Sequence, residues 1–213
     1  MYSILYEDSS LLVINKPPCM LVIPARNERK LSLLELLNKK AKEDNLSYRL
    51  HPCHRIDRDA SGIVVFAKGK KSQALVMEQF KKRQVSKSYL AFIKGTLERK
   101  KGTLIDFIQA IPKKSKRRAL LHYKVVEERN GWSLVNVQSL TGRTNQIRIQ
   151  FANVGHPLLG ERLYAFGRDF NVKFRRLGLH ARGISFRHPK DRRTISLHCP
   201  LPSDMKKFLD SHD

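Results

Sequence analysis

Hydrophobic positions along this chain come in short bursts, and the spacing within each burst predicts its element. Ile4 to Tyr6 and Leu11 to Asn15 are β-prone runs separated by the turn-rich Glu7-Asp8-Ser9-Ser10, which predicts a hairpin, and Pro17-Pro18 stops its second strand. Over 31–41, Leu33, Leu34, Leu36 and Leu37 fall at helical spacing with Ser32 near the start, so an amphipathic helix is expected. Gly62 to Ala67 is apolar without interruption, as in a strand buried on both faces. Over 71–82 a second helix is expected, with Ala74, Leu75, Val76, Met77 and Phe80 as its apolar positions and basic residues at its ends. The runs Lys87 to Gly95, Ala119 to Glu127, Trp132 to Ser139, Gln146 to Phe151 and Ile184 to Arg187 are rich in β formers and read as strands. A closing helix over 202–209, capped by Ser203, completes the pattern. Strands outnumber helices and no βαβ unit recurs. The expectation is therefore an α+β fold: one domain over 1–213 on a largely antiparallel mixed sheet with flanking helices and loops.

Composition adds a partner. Lys and Arg number 42 against 19 Asp and Glu, a formal charge of +23, in a chain of 213 residues that is 41% hydrophobic. Such an excess favours polyanions through counterion release, so nucleic acid leads over an anionic membrane and over incidental basicity. The stretch Lys113-Lys114-Ser115-Lys116-Arg117-Arg118 is expected to be an exposed basic loop. No basic leader precedes a long apolar stretch, and nowhere do apolar residues run far enough to span a bilayer, so secretion and membrane insertion are not expected. Cys19, Cys53 and Cys199 form no CxxC pair, which fits a reducing cytoplasm. His51-Pro52-Cys53-His54 has three potential metal ligands, but no second cluster completes a tetrahedral set, and no metal is expected. A monomer is the default.

The densest chemistry is HRIDRDASG, residues 54 to 62, where Asp57 is bracketed by Arg55 and Arg58. Flanking cations favour the ionised carboxylate and attract anions around it, as a nucleophilic carboxylate working on RNA requires. A surface ion-pair loop would look the same. Asp59 is either a partner in acid–base work or the cap of the turn into Ala60-Ser61-Gly62.

HRIDRDASGIVVFAK resembles the first signature of the RluA-type pseudouridine synthases. Four further stretches resemble that family in the expected order: ILYEDSSLLVINKPP its opening hairpin, KSYLAFIKG its tyrosine strand, LTGRTNQIRIQFANVGHPLLGERLYA its second signature and LHARGISFRHP its last. The resemblance covers about residues 4 to 190 and implies a cofactor-independent isomerase of uridine in structured RNA, ribosomal or transfer. It implies that Asp57 is the essential carboxylate, that Tyr89 packs against the target base and that Arg148 pairs with the aspartate. Arg55, Arg58, Arg143 and Gln146 are implied as substrate contacts, with Arg55 filling the gap left by the flipped base. The additional N-terminal RNA-binding domain of many family members is not expected, because the opening hairpin begins at once.

In the second signature Asn145 and Gln150 stand where the family usually has histidines. Both hydrogen-bond but neither titrates near neutrality, so a structural role is expected there. His156 and His180 match motif positions and are expected to hold loops. The reaction cuts the bond from ribose to nitrogen 1 of uracil, turns the base and rejoins it through carbon 5, needing no redox or energy cofactor. Whether Asp57 attacks the ribose, attacks the base or takes a sugar proton is open. Two competing functions stand beside this one: a non-catalytic RNA-binding protein of the same fold, and a metal-free ribonuclease using His51 and His54.

Overall fold

The computed structural model describes residues 2–26, 30–109, 115–165 and 170–211. The chain divides into two compact units, the first of residues 1–86 and 183–199 and the second of residues 87–182 and 200–213.

In the first unit, β1 (Ser3–Glu7) and β2 (Leu11–Lys16) form the expected hairpin, with Ile4 opposite Ile14 and Glu7 opposite Leu12. Its turn is organised by Asp8, whose Oδ1 accepts the N–H groups of Ser10 and Leu11, both at 2.8 Å. β2 pairs antiparallel with β4 (Ser61–Lys68), placing Lys16 opposite Gly62 and Val13 opposite Val65. Every residue of β4 but the last is buried, which explains its unbroken apolar run. The short β3 (Leu50–Pro52) also pairs with β4. The helix α1 (Leu33–Glu43) starts at Ser32 in a full capping box: the Ser32 hydroxyl accepts the Glu35 N–H, and the Glu35 carboxylate accepts the Ser32 N–H at 2.8 Å. The helix α2 (Lys70–Lys81) packs on β3 and β4 and buries Val76 in a core with Leu11, Val13, Ile63, Val65 and Phe186. β9 (Leu179–Arg187) gives its last residues to this unit, where β10 (Thr194–His198) pairs with it antiparallel.

The second unit has the strand order β9-β5-β8-β7-β6, with β5 (Ser86–Lys94), β6 (Lys101–Gln109), β7 (Lys116–Arg129) and β8 (Trp132–Ser139). The pairs β5–β8, β8–β7 and β7–β6 are all antiparallel. On one face α4 (Ser203–Ser211) buries Met205 and Phe208 against Leu90, Phe92, Trp132 and Leu134, with Phe92 and Trp132 meeting edge to face at 5.1 Å. On the other face lies α3 (Gln146–Asn153), whose Phe151 meets Tyr123 of β7. None of the described helices is long and apolar enough to cross a membrane.

The α+β class with a largely antiparallel sheet is the architecture observed. Three local expectations are corrected. Gln146 to Phe151 alternates like a strand but is helix α3, because its polar residues Gln146, Arg148 and Gln150 are buried alongside Ile147 and Phe151, so the alternation does not separate a wet face from a dry one. The basic stretch is not a loop throughout: β7 begins at Lys116, while Lys113 and Lys114 lie outside the described residues. Ser203 is inside the first turn of α4, since the Lys206 N–H bonds the Pro202 carbonyl at 3.0 Å. The strands β3, β6 and β10 were not expected. In β6 the apolar Leu104, Ile105, Phe107 and Ile108 fall on both faces and break the period of two.

Candidate functional site

The first unit carries Asp57 in the loop between β3 and β4. Ile56 and Ala60 are buried on either side of it, Asp57 itself is half-buried, and Arg55 and Arg58 are exposed. The loop turns tightly, the Ala60 N–H bonding the Asp57 carbonyl at 3.2 Å. Its anchor is Lys16, the last residue of β2, which is 0% exposed. The three donors of its ammonium reach three carbonyls: Pro17 at 2.9 Å, Met20 at 2.8 Å and Arg58 at 3.0 Å. The Met20 N–H bonds the same Arg58 carbonyl at 3.1 Å, so the backbone one residue past Asp57 is held twice. An ammonium wholly removed from water is tolerated only with such partners. His54, three residues before Asp57, accepts the Val65 N–H on Nε2 at 3.1 Å and lies against Phe80. That nitrogen serves the fold, which weakens a ribonuclease reading built on His51 and His54.

The second unit carries Tyr89, Arg143, Gln146 and Arg148. Tyr89 on β5 is opposite Val137, which is opposite Tyr123, so its side chain belongs to the sheet face that holds α3. Arg148 on α3 is buried and meets Glu161 as a fork, Nε to Oε2 and Nη2 to Oε1, both at 2.7 Å. Its Nη1 donates to Asn145 Oδ1 at 3.1 Å, and its guanidinium lies 5.2 Å from the centre of the Tyr164 ring. Burial works against a charge on Glu161, but Arg148 and the N–H groups of Leu163 and Tyr164 outweigh it and hold the carboxyl below its ordinary pKa.

Gln146 is occupied by its own loop. Its Oε1 accepts the Thr141 hydroxyl at 2.7 Å and the Arg143 N–H at 3.0 Å, and its Nε2 donates to the Leu120 carbonyl at 3.1 Å. Arg143 is half-buried and donates from Nε to the Arg118 carbonyl at 3.2 Å. Near it, burial first and the charge of Arg143 second push the Lys87 ammonium down to about 8.

The two departures from the family pattern have visible partners. Asn145 sits at φ 55°, a left-handed conformation that Asn and His adopt more readily than most residues, and donates from Nδ2 to the Tyr164 hydroxyl at 2.8 Å. Gln150 donates from Nε2 to the Leu104 carbonyl at 3.0 Å, tying α3 to β6. His156 donates from Nδ1 to the Lys94 carbonyl at 2.9 Å. Lys16, Lys87 and Glu161 escaped sequence reasoning. Lys16 carried the only available signal, a charge closing an apolar run before two prolines, whereas Glu161 gains meaning only from the fold that brings it to Arg148.

Comparison with known proteins names the class. A profile described as RNA pseudouridylate synthase matches residues 10–153. The uncharacterized RNA pseudouridine synthase YhcT of Bacillus subtilis is 33% identical over 215 residues, 96% of this chain and 70% of that protein. Ribosomal large subunit pseudouridine synthase D of Buchnera aphidicola is 32% identical over 226 residues, 96% of this chain and 71% of the relative. Human RNA pseudouridylate synthase domain containing 4 shares the fold with a TM-score of 0.84 at 25% identity, covering 98% of this chain and 92% of the human one. The fold and these relatives define an isomerase that acts on RNA. The chain belongs to the RNA pseudouridylate synthase family, and within it to the RluA type.

Proposed function

We propose that this enzyme isomerises specific uridines in structured ribosomal or transfer RNA, and that Asp57 is the carboxylate on which the reaction depends. The observation that carries the assignment is the anchoring of the Asp57 loop by a fully buried lysine, in a stretch whose neighbours on both sides are exposed arginines. A surface ion-pair turn has no use for an anchor that must first lose its own hydration. In this reading the target nucleotide leaves its stack, at a cost of order a few kcal/mol, and Tyr89 recovers part of that by packing on the base. Arg55 takes the vacated place in the RNA, Arg58 and Arg143 meet phosphates, and Arg148 keeps the working carboxylate ionised. Gln146 acts by holding the loop of Thr141 and Arg143, since its amide is engaged there. The protein works in the cytoplasm as a monomer, and residues 1–213 form its catalytic domain.

Incubation with uridine-labelled RNA, followed by nucleoside analysis, tests the reading. Pseudouridine is expected from the wild type and none from Asp57→Asn, with RNA affinity changed less than about threefold because binding rests on many cations. Full activity in Asp57→Asn removes this residue from the mechanism. Binding without pseudouridine in the wild type, across ribosomal and transfer RNA, leaves the non-catalytic reading in its place.

A further inference from the structure

The sheet of the second unit has a face that the proposed chemistry does not use. Along β6 and β7 the side chains opposite those facing α3 point outward, and the register sets Phe107 beside Arg118 and Ile105 beside Leu120, with Lys116 and Lys124 toward the two ends. Phe107 is 59% exposed and Ile105 55%. Between Lys101 and Gln109 on one strand and Lys116 and Lys124 on the other, this face has no carboxylate, since Asp106 turns to the other side and bonds Asn153 of α3. An exposed phenylalanine and isoleucine are hard to explain as solubility features, and their basic surround would repel a second copy of the same surface. Strand addition at β6 is also disfavoured: the Leu104 carbonyl is taken by Gln150 and the Phe107 N–H by Asp106 Oδ1 at 2.6 Å.

We propose that this outer face of β6 and β7 is a second RNA contact, on which unpaired nucleotides stack against Phe107 while Arg118, Lys116 and Lys124 meet their phosphates. The chemistry is that of an aromatic sheet surface for single strands: stacking is indifferent to base identity, and the flanking cations follow the backbone. The proposal rests on the reading of the protein as an RNA enzyme, and extends it from the reacting uridine to flanking single-stranded segments of the substrate.

The probe is a fluorescein-labelled oligocytidylate of about 12 nucleotides, long enough for one stacking surface and free of uridine, so that it offers nothing to isomerise. Anisotropy titrations compare the wild type with Phe107→Ala, Phe107→Tyr and Arg118→Ala, and include an RNA duplex of the same length. Phe107→Ala is expected to weaken oligocytidylate binding roughly tenfold without changing its salt slope, and Phe107→Tyr to restore it. Arg118→Ala is expected to lower the slope of log affinity against log salt by about 1 or less, the signature of one lost phosphate contact. Duplex binding is expected to change less than about twofold in Phe107→Ala, since paired bases cannot stack on it. Equal affinity of wild type and Phe107→Ala for oligocytidylate overturns the proposal. So does sedimentation of the wild type as a dimer that Phe107→Ala dissociates, which would assign the face to a second copy. A Phe107-dependent affinity together with no pseudouridine from the wild type keeps this surface and removes the catalytic reading instead.

Discussion

At the scale of single residues, two lysines carry more of the argument than the exposed cations that give the chain its charge. Lys16 gives all three of its donors to carbonyls, one of them the Arg58 carbonyl beside Asp57. Replacing it with methionine keeps the volume but takes the ammonium from all three carbonyls and leaves the Arg58 carbonyl only the Met20 N–H, a loss of about 3–5 kcal/mol for three hydrogen bonds to a charged group after the desolvation that methionine avoids. Lys16→Met is expected to melt roughly 10 °C lower and, at a temperature where it remains folded, to lose far more turnover than RNA affinity. An active, stable Lys16→Met would show that the loop of Asp57 is set by other contacts. Lys87 behaves differently, because burial lowers its pKa to about 8 from an ordinary 10.5. Between those two values the unfolded chain holds the extra proton, so the contribution of Lys87 to stability rises with pH across that window. Tyr6, Cys53 and Cys199 have raised values and tilt the curve the other way at the alkaline end, so the informative quantity is the difference from Lys87→Met. Urea unfolding at successive pH values is expected to show the wild type gaining on Lys87→Met from about pH 8 to about pH 10, and a constant gap would contradict the depressed value.

At the scale of elements, the sequence was readable wherever burial followed the period of the backbone. α1 announces itself because its leucines lie on one stripe with Ser32 near the start, and the structure adds Glu35 as the second half of its capping box. β4 does so because both faces are dry over its length. α3 fails that logic: Gln146, Arg148 and Gln150 are buried in defiance of their polarity, each with a partner from a distant part of the chain, at Leu120, Glu161 and Leu104. Those partners cannot be read from local spacing, and the β-branched Ile147 and Ile149 supply a misleading strand signal. The same limit applies to the site: Asp57 stood out as a carboxylate between two arginines, whereas Glu161 looked like any surface acid until the fold placed it on Arg148. What puts Glu161 there is the turn before it. Gly160 has φ +71°, and a β-carbon on it would lie 1.9 Å from the Arg176 carbonyl oxygen, which is backbone and cannot swing away. Gly155 also has a positive φ, of +89°, but open space around it. Gly155→Ala is therefore expected to cost about 1–2 kcal/mol, the conformational term alone, and Gly160→Ala at least twice as much together with loss of activity as Glu161 leaves Arg148. Chemical denaturation of the two variants side by side checks this, and equal costs would show that the turn yields.

At the scale of the whole molecule, a formal charge of +23 responds steeply to salt and a buried ion pair hardly at all. The exposed cations act on RNA through counterion release, and a protein making about 6–10 phosphate contacts loses on the order of 10³–10⁵ in affinity between about 50 and 200 mM salt. The Arg148–Glu161 pair, with side chains 8% and 0% exposed, lies where mobile ions hardly reach, so its attraction and the geometry it fixes are almost untouched by the same change. Capture of RNA and the chemical step should therefore separate when salt is varied. Single-turnover pseudouridine formation at saturating RNA is expected to change less than about twofold between about 50 and 200 mM potassium chloride, while kcat/KM falls by at least about a hundredfold. A steep fall in the saturated rate would mean that a screened, solvent-facing charge takes part in the rate-limiting step, which would move the working cations from the interior to the surface arginines beside Asp57.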